Sequence, residues 1–206
     1  MKMSKEQNIE RELPSGYKQA LYINAKNARF GIIFNLIALI VCAIVMATAA
    51  FSLHIGDKLS VDILEIDFPQ FIVAYLILFA ALIGYVVLHE LVHGIAYKTL
   101  TGEKLTFGIS WSCAFCGVPQ IYTYRRTALI AVLAPFVLFS LLFLAIAAVL
   151  LFLSPLWYML TVLLFAIHVG GCCGDLFVAG LLLFKYRSPK TLMRDTGPEQ
   201  FFYLSE

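Results

Sequence analysis

The chain has 206 residues, of which 61% are hydrophobic and only 14% charged, with a mean hydropathy of +0.87 and a formal net charge of +2. Soluble globular domains are about half apolar and about a quarter charged, so this composition excludes a soluble domain and indicates a membrane protein with several spans. The cysteines give no support for a disulfide framework. They are Cys42, Cys113, Cys116, Cys172 and Cys173.

Four apolar stretches are long enough to cross a bilayer, which requires about 20 residues. They cover residues 30–53, 69–97, 127–153 and 155–184. Residues 1–29 then form an N-terminal arm, residues 30–184 a single membrane domain, and residues 185–206 a C-terminal tail. The fold class we predict is an all-α membrane protein with four transmembrane helices.

Lysine and arginine residues are distributed unevenly around these stretches. Fourteen of the fifteen lie in the arm, in the loop between the second and third spans, or in the tail. Only Lys58 lies in the loop between the first and second spans. Because basic loops stay on the cytoplasmic side, we expect a multi-pass protein of the cell membrane with both termini in the cytoplasm. The lipid bilayer is its expected surrounding, and we expect no nucleic-acid partner.

The loop between the second and third spans contains a strand-like pattern. Leu105, Phe107, Ile109 and Trp111 alternate with small or polar residues, which is the period of a strand with one apolar face. Residues 121–124 offer a partner strand after a Cys-Gly-Val-Pro turn. The sequence therefore predicts either a short β-hairpin or an interfacial loop between helices two and three, and it favours neither.

An HExxH pattern, formed by His89, Glu90 and His93, lies within the second span. Histidines four residues apart share one face of a helix, where their imidazole nitrogens can bind one zinc ion. The adjacent glutamate can then take a proton from a water molecule at the metal. A chance match in this span would expose three polar side chains to hydrocarbon, so the pattern favours a real metal site.

The fourth span contains two further ionisable residues, His168 and Asp175, seven residues apart on one helix face. His89 and Asp175 each follow a proline at the start of their span by 20 residues. Both side chains should therefore lie at one depth, near the inner edge of the hydrocarbon. We predict that His89, His93 and Asp175 bind the metal and that Glu90 is the general base.

The role of His168 stays open between three alternatives. It can donate a hydrogen bond to the oxyanion of the reaction, which is the catalytic role we assign as a hypothesis. It can instead replace Asp175 as the third ligand, or it can be a buried, hydrogen-bonded histidine without a catalytic role. The preference for Asp175 as ligand rests on the need of a buried carboxylate for a nearby cation.

Three segments of the chain carry a family resemblance. LHELVHGIAYK, CAFCGVPQIYTYRRTALIAVLAPF and HVGGCCGDLF, in this order, resemble the zincin peptidase family of bacterial membrane proteins (domain of unknown function 3267). That family is similar to the site-2 proteases, intramembrane zinc metalloproteases with an HExxH helix and a distant aspartate ligand. The resemblance implies Zn²⁺ as cofactor, with His89, His93 and Asp175 as its ligands and Glu90 as the base. In one departure, Gly174 precedes Asp175 here, whereas site-2 proteases carry an Asp-Gly motif.

These features together predict a membrane-embedded zinc metalloendopeptidase. Its substrate would be a membrane-associated peptide or protein, cleaved near the cytoplasmic face. One rival function is a structural metal clamp between spans two and four, and another is metal transport. Glu90 favours the hydrolase, because neither rival needs an acid beside the first histidine that does not bind metal. Four spans without a second polar site also argue against a translocation path.

Overall fold

The computed structural model describes residues 8–55, 68–109 and 114–206. The helices are α1 (Ala28–Ile55), α2 (Phe68–Thr101), α3 (Arg125–Leu153), α4 (Pro155–Gly171) and α5 (Cys173–Gly180), followed by a π-helical segment, Leu181–Lys185. The strands are β1 (Ile9–Glu10), β2 (Tyr17–Asn24), β3 (Thr106–Ile109), β4 (Ala114–Gly117), β5 (Tyr122–Tyr124), β6 (Leu192–Asp195) and β7 (Glu199–Ser205).

Three helices, α1, α2 and α3, are each long and apolar enough to cross a membrane. The predicted fourth span is broken: Pro155–Gly171 and Cys173–Lys185 meet at a bend of 43° and qualify only when they are taken together. The break at Cys172 lies in a Gly-Gly-Cys-Cys-Gly sequence. Glycine has a low helix propensity, which makes this the weakest point of the span.

The all-α prediction is wrong for the segments outside the helices, because these segments form sheets. Five strands in the order β1-β5-β6-β7-β2 make an antiparallel sheet. The N-terminal arm, the segment before α3 and the C-terminal tail all contribute to it. Tyr17 pairs with Ser205, for example, from opposite ends of the chain. A local hydrophobic pattern carries no information about such distant pairing, which is why the sheet was not predicted.

The strands β3 and β4 form a separate antiparallel pair in which Phe107 lies opposite Cys116. The predicted strand pattern thus corresponds to β3 over Thr106–Ile109, whereas Trp111 lies outside the described residues. The predicted partner is wrong, because Tyr122–Tyr124 pairs with β1 and β6 in the larger sheet. Alternation specifies which face of a strand is apolar, but it does not specify the neighbouring strand.

The chain divides into two compact units, of which the first comprises Met1–Ile33, Val87–Pro135 and Gly174–Glu206. One buried cluster joins α3, the π-helical segment and the five-stranded sheet, and it includes Val132, Leu182, Met193 and Phe202. Every Asp, Glu, Lys and Arg in the described part of the chain belongs to this unit.

The second unit comprises Phe34–Val86 and Phe136–Cys173. Ala49, Ala147, Tyr158 and Val162 are buried together where α1, α3 and α4 meet. The outer surface of this unit is apolar over long stretches of helix, and Leu39 is 68% exposed.

Candidate metal centre

His89 and His93 of α2 converge with Asp175, which lies in the first turn of α5. Nε2 of His89 lies 3.2 Å from Oδ2 of Asp175, and Nε2 of His93 lies 3.3 Å from the same oxygen. The candidate ligand atoms of the three residues all lie within 4.8 Å of one another. The structure therefore brings together the three side chains that were predicted as metal ligands, and all three belong to the first unit.

The spacing and the chemistry of these atoms fit a zinc ion. Zinc binds imidazole nitrogen and carboxylate oxygen at about 2.0–2.1 Å in a tetrahedron, so neighbouring ligand atoms are about 3.3 Å apart. The two separations of 3.2 and 3.3 Å match this tetrahedral edge. The side chain of Asp175 is 26% exposed, so the cluster remains accessible to water.

The ring of His93 is oriented by a backbone carbonyl of α3. Nδ1 of His93 lies 2.8 Å from the carbonyl oxygen of Ala131. A carbonyl oxygen only accepts, so Nδ1 carries the proton, and Nε2 of the neutral ring is then an acceptor as well. Nε2 of His93 and Oδ2 of Asp175 thus face each other as two acceptors, an arrangement that requires a proton or a cation between them. A carbonyl on the other ring nitrogen is the usual second partner of a metal-binding histidine.

Glu90 is half-buried beside this cluster. The backbone of Cys116 lies near the Glu90 carboxylate, which places β4 next to the cluster. The group of clustered ligand atoms formed by His89, His93 and Asp175 does not include Glu90.

Tyr97, one helical turn beyond His93, contacts a buried acid of β6 that the sequence did not indicate, Asp195. The Tyr97 hydroxyl donates to Oδ2 of Asp195 at 2.7 Å, and the backbone N–H of Gly197 donates to Oδ1 at 2.9 Å. Burial raises the pKa of Asp195 to about 6 against the effect of these two donors. Tyr97 follows His93 by four residues and so shares its helix face, a signal that sequence reasoning could have used. No comparable pattern marks Asp195 in the tail.

His168 belongs to the second unit and is fully buried. The Tyr85 hydroxyl lies 2.8 Å from its Nδ1, while its Nε2 lies 3.1 Å from Ser140 Oγ and 3.3 Å from the carbonyl oxygen of Phe136. Because that carbonyl can only accept, the geometry suits a neutral ring that donates from Nε2 and accepts at Nδ1. Both nitrogens thus have partners within their own unit. Its catalytic role stays a prediction.

The thiol of Cys116 is buried in β4. Burial, with the nearby charges of Asp195 and Glu90, raises the pKa of this thiol to about 12. A thiol that remains protonated is a poor nucleophile. Cys113 lies outside the described residues, so the structure does not describe the other half of the Cys-x-x-Cys pattern.

Comparison with known families matches residues 82–190 to the family described as "Putative zincin peptidase". This segment covers more than half of the 206-residue chain. The chain belongs to this zincin peptidase family. Membership suggests a metallopeptidase that uses zinc, in agreement with the spacing of the three clustered side chains. The segment that matches the zincin peptidase family contains the HExxH pattern and Asp175 but ends before Asp195. No curated protein and no solved structure matches the chain.

Proposed function

We propose that this member of the zincin peptidase family is a membrane-embedded zinc endopeptidase of the site-2-protease type. One observation carries the proposal: two histidines of α2 converge with an aspartate of α5, both nitrogen–oxygen separations match a tetrahedral edge, and a glutamate lies outside the cluster. A clamp or a carrier would not need that glutamate. Its substrate is a membrane-associated peptide or protein, cleaved near the cytoplasmic face.

The protein's own residues have separate tasks in this mechanism. His89, His93 and Asp175 would hold the zinc ion, which when bound supplies Lewis-acid polarisation of a peptide carbonyl and activation of water. Glu90 would accept a proton from the attacking water and return it to the leaving amine, as a general base and then a general acid. The backbone of Cys116, which lies near the Glu90 carboxylate, would help to orient it for both transfers.

The distribution of charge supports the membrane location and the orientation. The described residues of the second unit include no Asp, Glu, Lys or Arg, and helices without exposed charge suit a hydrocarbon environment. The first unit carries the basic residues that the positive-inside rule assigns to the cytoplasm. In the proposed topology α4 and α5 make one broken span, four spans cross the membrane, and the metal centre and both termini lie on the cytoplasmic side.

The strand β3 supports an extended mode of substrate binding. In the part of the chain that the structure describes, β3 pairs only with β4, which leaves backbone groups on its other edge for an added strand. The hairpin lies beside Glu90 through Cys116. Phe107 is 50% and Ile109 is 87% exposed on β3, and apolar side chains suit a peptide drawn from a membrane.

Zinc content and hydrolysis, measured on the full chain in detergent, test the proposal. We expect about one zinc per chain in the wild type and none in His93→Ala or Asp175→Ala. Glu90→Gln should keep its zinc but lose hydrolysis, because it lacks only the base. His54→Ala, at the remaining histidine of the chain, is the matched control and should keep both.

Two results would contradict the proposal. A wild-type protein without zinc, after expression with the metal supplied, would exclude the metal centre. Zinc binding with hydrolysis that is the same in Glu90→Gln would exclude the role of Glu90 as base.

A further inference from the structure

A proline in α3 lies one helical turn after the carbonyl that orients His93. Pro135 is inside the helix and fully buried. In an α-helix the N–H of each residue donates to the carbonyl four residues earlier, so residue 135 would normally serve Ala131. Proline has no N–H, and its ring also pushes against that carbonyl. The Ala131 carbonyl therefore lacks its helical donor.

Instead, this carbonyl oxygen lies 2.8 Å from Nδ1 of His93. Ala131 is fully buried, so the histidine replaces the missing donor where water has no access. The four groups involved, Pro135, Ala131, His93 and Asp175, all belong to the first unit. The absence of one N–H in α3 is thus matched by a donor from α2.

We propose that Pro135 is a positioning residue of the metal centre. Because proline has no N–H, it frees the Ala131 carbonyl to accept a hydrogen bond from Nδ1 of His93, which leaves the lone pair of Nε2 directed towards Asp175. This inference rests on the proposed zinc site. An alanine at position 135 would restore the helical N–H, which competes with His93 for the carbonyl. The ring could then carry its proton on Nε2, the tautomer that cannot bind the metal through this atom.

A proline that merely bends the helix would behave differently from a positioning residue. Its replacement would change the path of α3 and the stability of the fold, but it would leave the tautomer of His93 unchanged. The position of the ring proton is therefore the property that separates the two roles.

The first measurement is zinc affinity of the full chain in detergent, by competition with a chromophoric chelator. We expect Pro135→Ala to bind zinc about 10–100-fold more weakly, the range found when the second partner of a metal-binding histidine is removed. Pro155→Ala is the matched control: Pro155 lies in the first turn of α4, where an N–H has no helical acceptor, so its affinity should equal that of the wild type.

The second measurement is ¹⁵N NMR of the metal-free protein with ¹⁵N-labelled histidines, at a pH high enough that the His93 ring is neutral. We expect the His93 proton on Nδ1 in the wild type and in Pro155→Ala, with a shift towards Nε2 in Pro135→Ala. A third protein, in which lactic acid (the α-hydroxy analogue of alanine) replaces Pro135, lacks both the N–H and the ring. Its zinc affinity should return to the wild-type value.

Three results would overturn the inference: Pro135→Ala with wild-type zinc affinity, a metal-free wild type with the proton on Nε2 of His93, or a lactic acid variant as weak as Pro135→Ala. The second of these needs no variant, so it decides the question even if Pro135→Ala does not fold. Zinc missing from the wild type and from Pro155→Ala alike would refute the zinc site itself, and this inference with it.

Discussion

Removing the hydroxyl of Tyr97 is expected to destabilise the protein by an amount that depends on pH. This hydroxyl donates to the Asp195 carboxylate at 2.7 Å, and the two residues are 1% and 5% exposed, so water does not replace the lost donor. A hydrogen bond to a charged group contributes about 1.5–3 kcal/mol, and one between neutral groups about 0.5–1.5 kcal/mol. Tyr97→Phe should therefore cost more when Asp195 is ionised.

The relevant pH range follows from the pKa of Asp195, which burial raises from 3.8 to about 6. The folded protein then binds the proton of the Asp195 carboxyl more tightly than the unfolded chain does. The stability that this tighter binding contributes is complete below pH 3.8 and is lost as the pH rises through about 6. This difference in the pKa of Asp195 between the folded and unfolded states corresponds to about 3 kcal/mol of folding stability. We expect Tyr97→Phe to lose about 2 kcal/mol at a pH of about 7.5 and about 1 kcal/mol at about 4.5.

The assay is the free energy of unfolding in detergent, measured with a chelator so that metal release at low pH does not contribute. Tyr17→Phe is the control, because the Tyr17 hydroxyl donates to the Lys190 carbonyl at an exposed site and should give a small, pH-independent loss. Asp195→Asn, which has no proton to titrate, should remove this part of the pH dependence. The reasoning is refuted if Tyr97→Phe loses the same stability at both pH values, or if Asp195→Asn keeps the wild-type pH dependence.

Two further predictions concern the strands beside the metal centre. In Gly117→Ala the added Cβ would lie 2.3 Å from the backbone nitrogen of Gly197, which cannot yield, so we expect a loss of about 3 kcal/mol or more in thermal unfolding. Gly180→Ala is the control: its added Cβ meets nothing within 4 Å, so it should instead gain about 0.5–1 kcal/mol of stability. A Gly117→Ala protein of wild-type stability would contradict the packing described for β4. Phe107→Pro removes a backbone donor from β3 and should abolish peptide cleavage while the zinc content stays at the wild-type value; unchanged cleavage would exclude substrate pairing at this strand.

The shared helix face of His89 and His93 and the matching depth of His89 and Asp175 were predictable because both follow from helix geometry. The i, i+4 spacing defines the helix face, and two equal counts from the prolines at the start of the spans define the depth. That α5 packs against α2, which brings Asp175 to the two histidines, was decided by the tertiary structure. The break of the fourth span at Cys172 was not predicted, because hydropathy measures the length of an apolar segment and not its continuity.

The residues around this cluster could not be predicted in the same way. Asp195 lies in a short polar tail, and it meets Tyr97 only because β6 is an inner strand of a sheet built from three distant segments. The predicted partner of β3 was wrong for a related reason: residues 121–124 have the alternation of a strand, but β5 pairs with β1 and β6 instead. Strand pairing depends on the whole fold, whereas alternation is a local property.

By itself, the sequence determined the apolar helices, the segments that contain the lysine and arginine residues, and the spacing of His89, Glu90 and His93 along one helix. These features depend on residue type and on a fixed helical period, which are local properties. Only the tertiary structure decided that the His93 ring meets the Ala131 carbonyl and that Tyr97 meets Asp195. A backbone oxygen has no identity in a sequence, and long-range packing selects which one a side chain reaches.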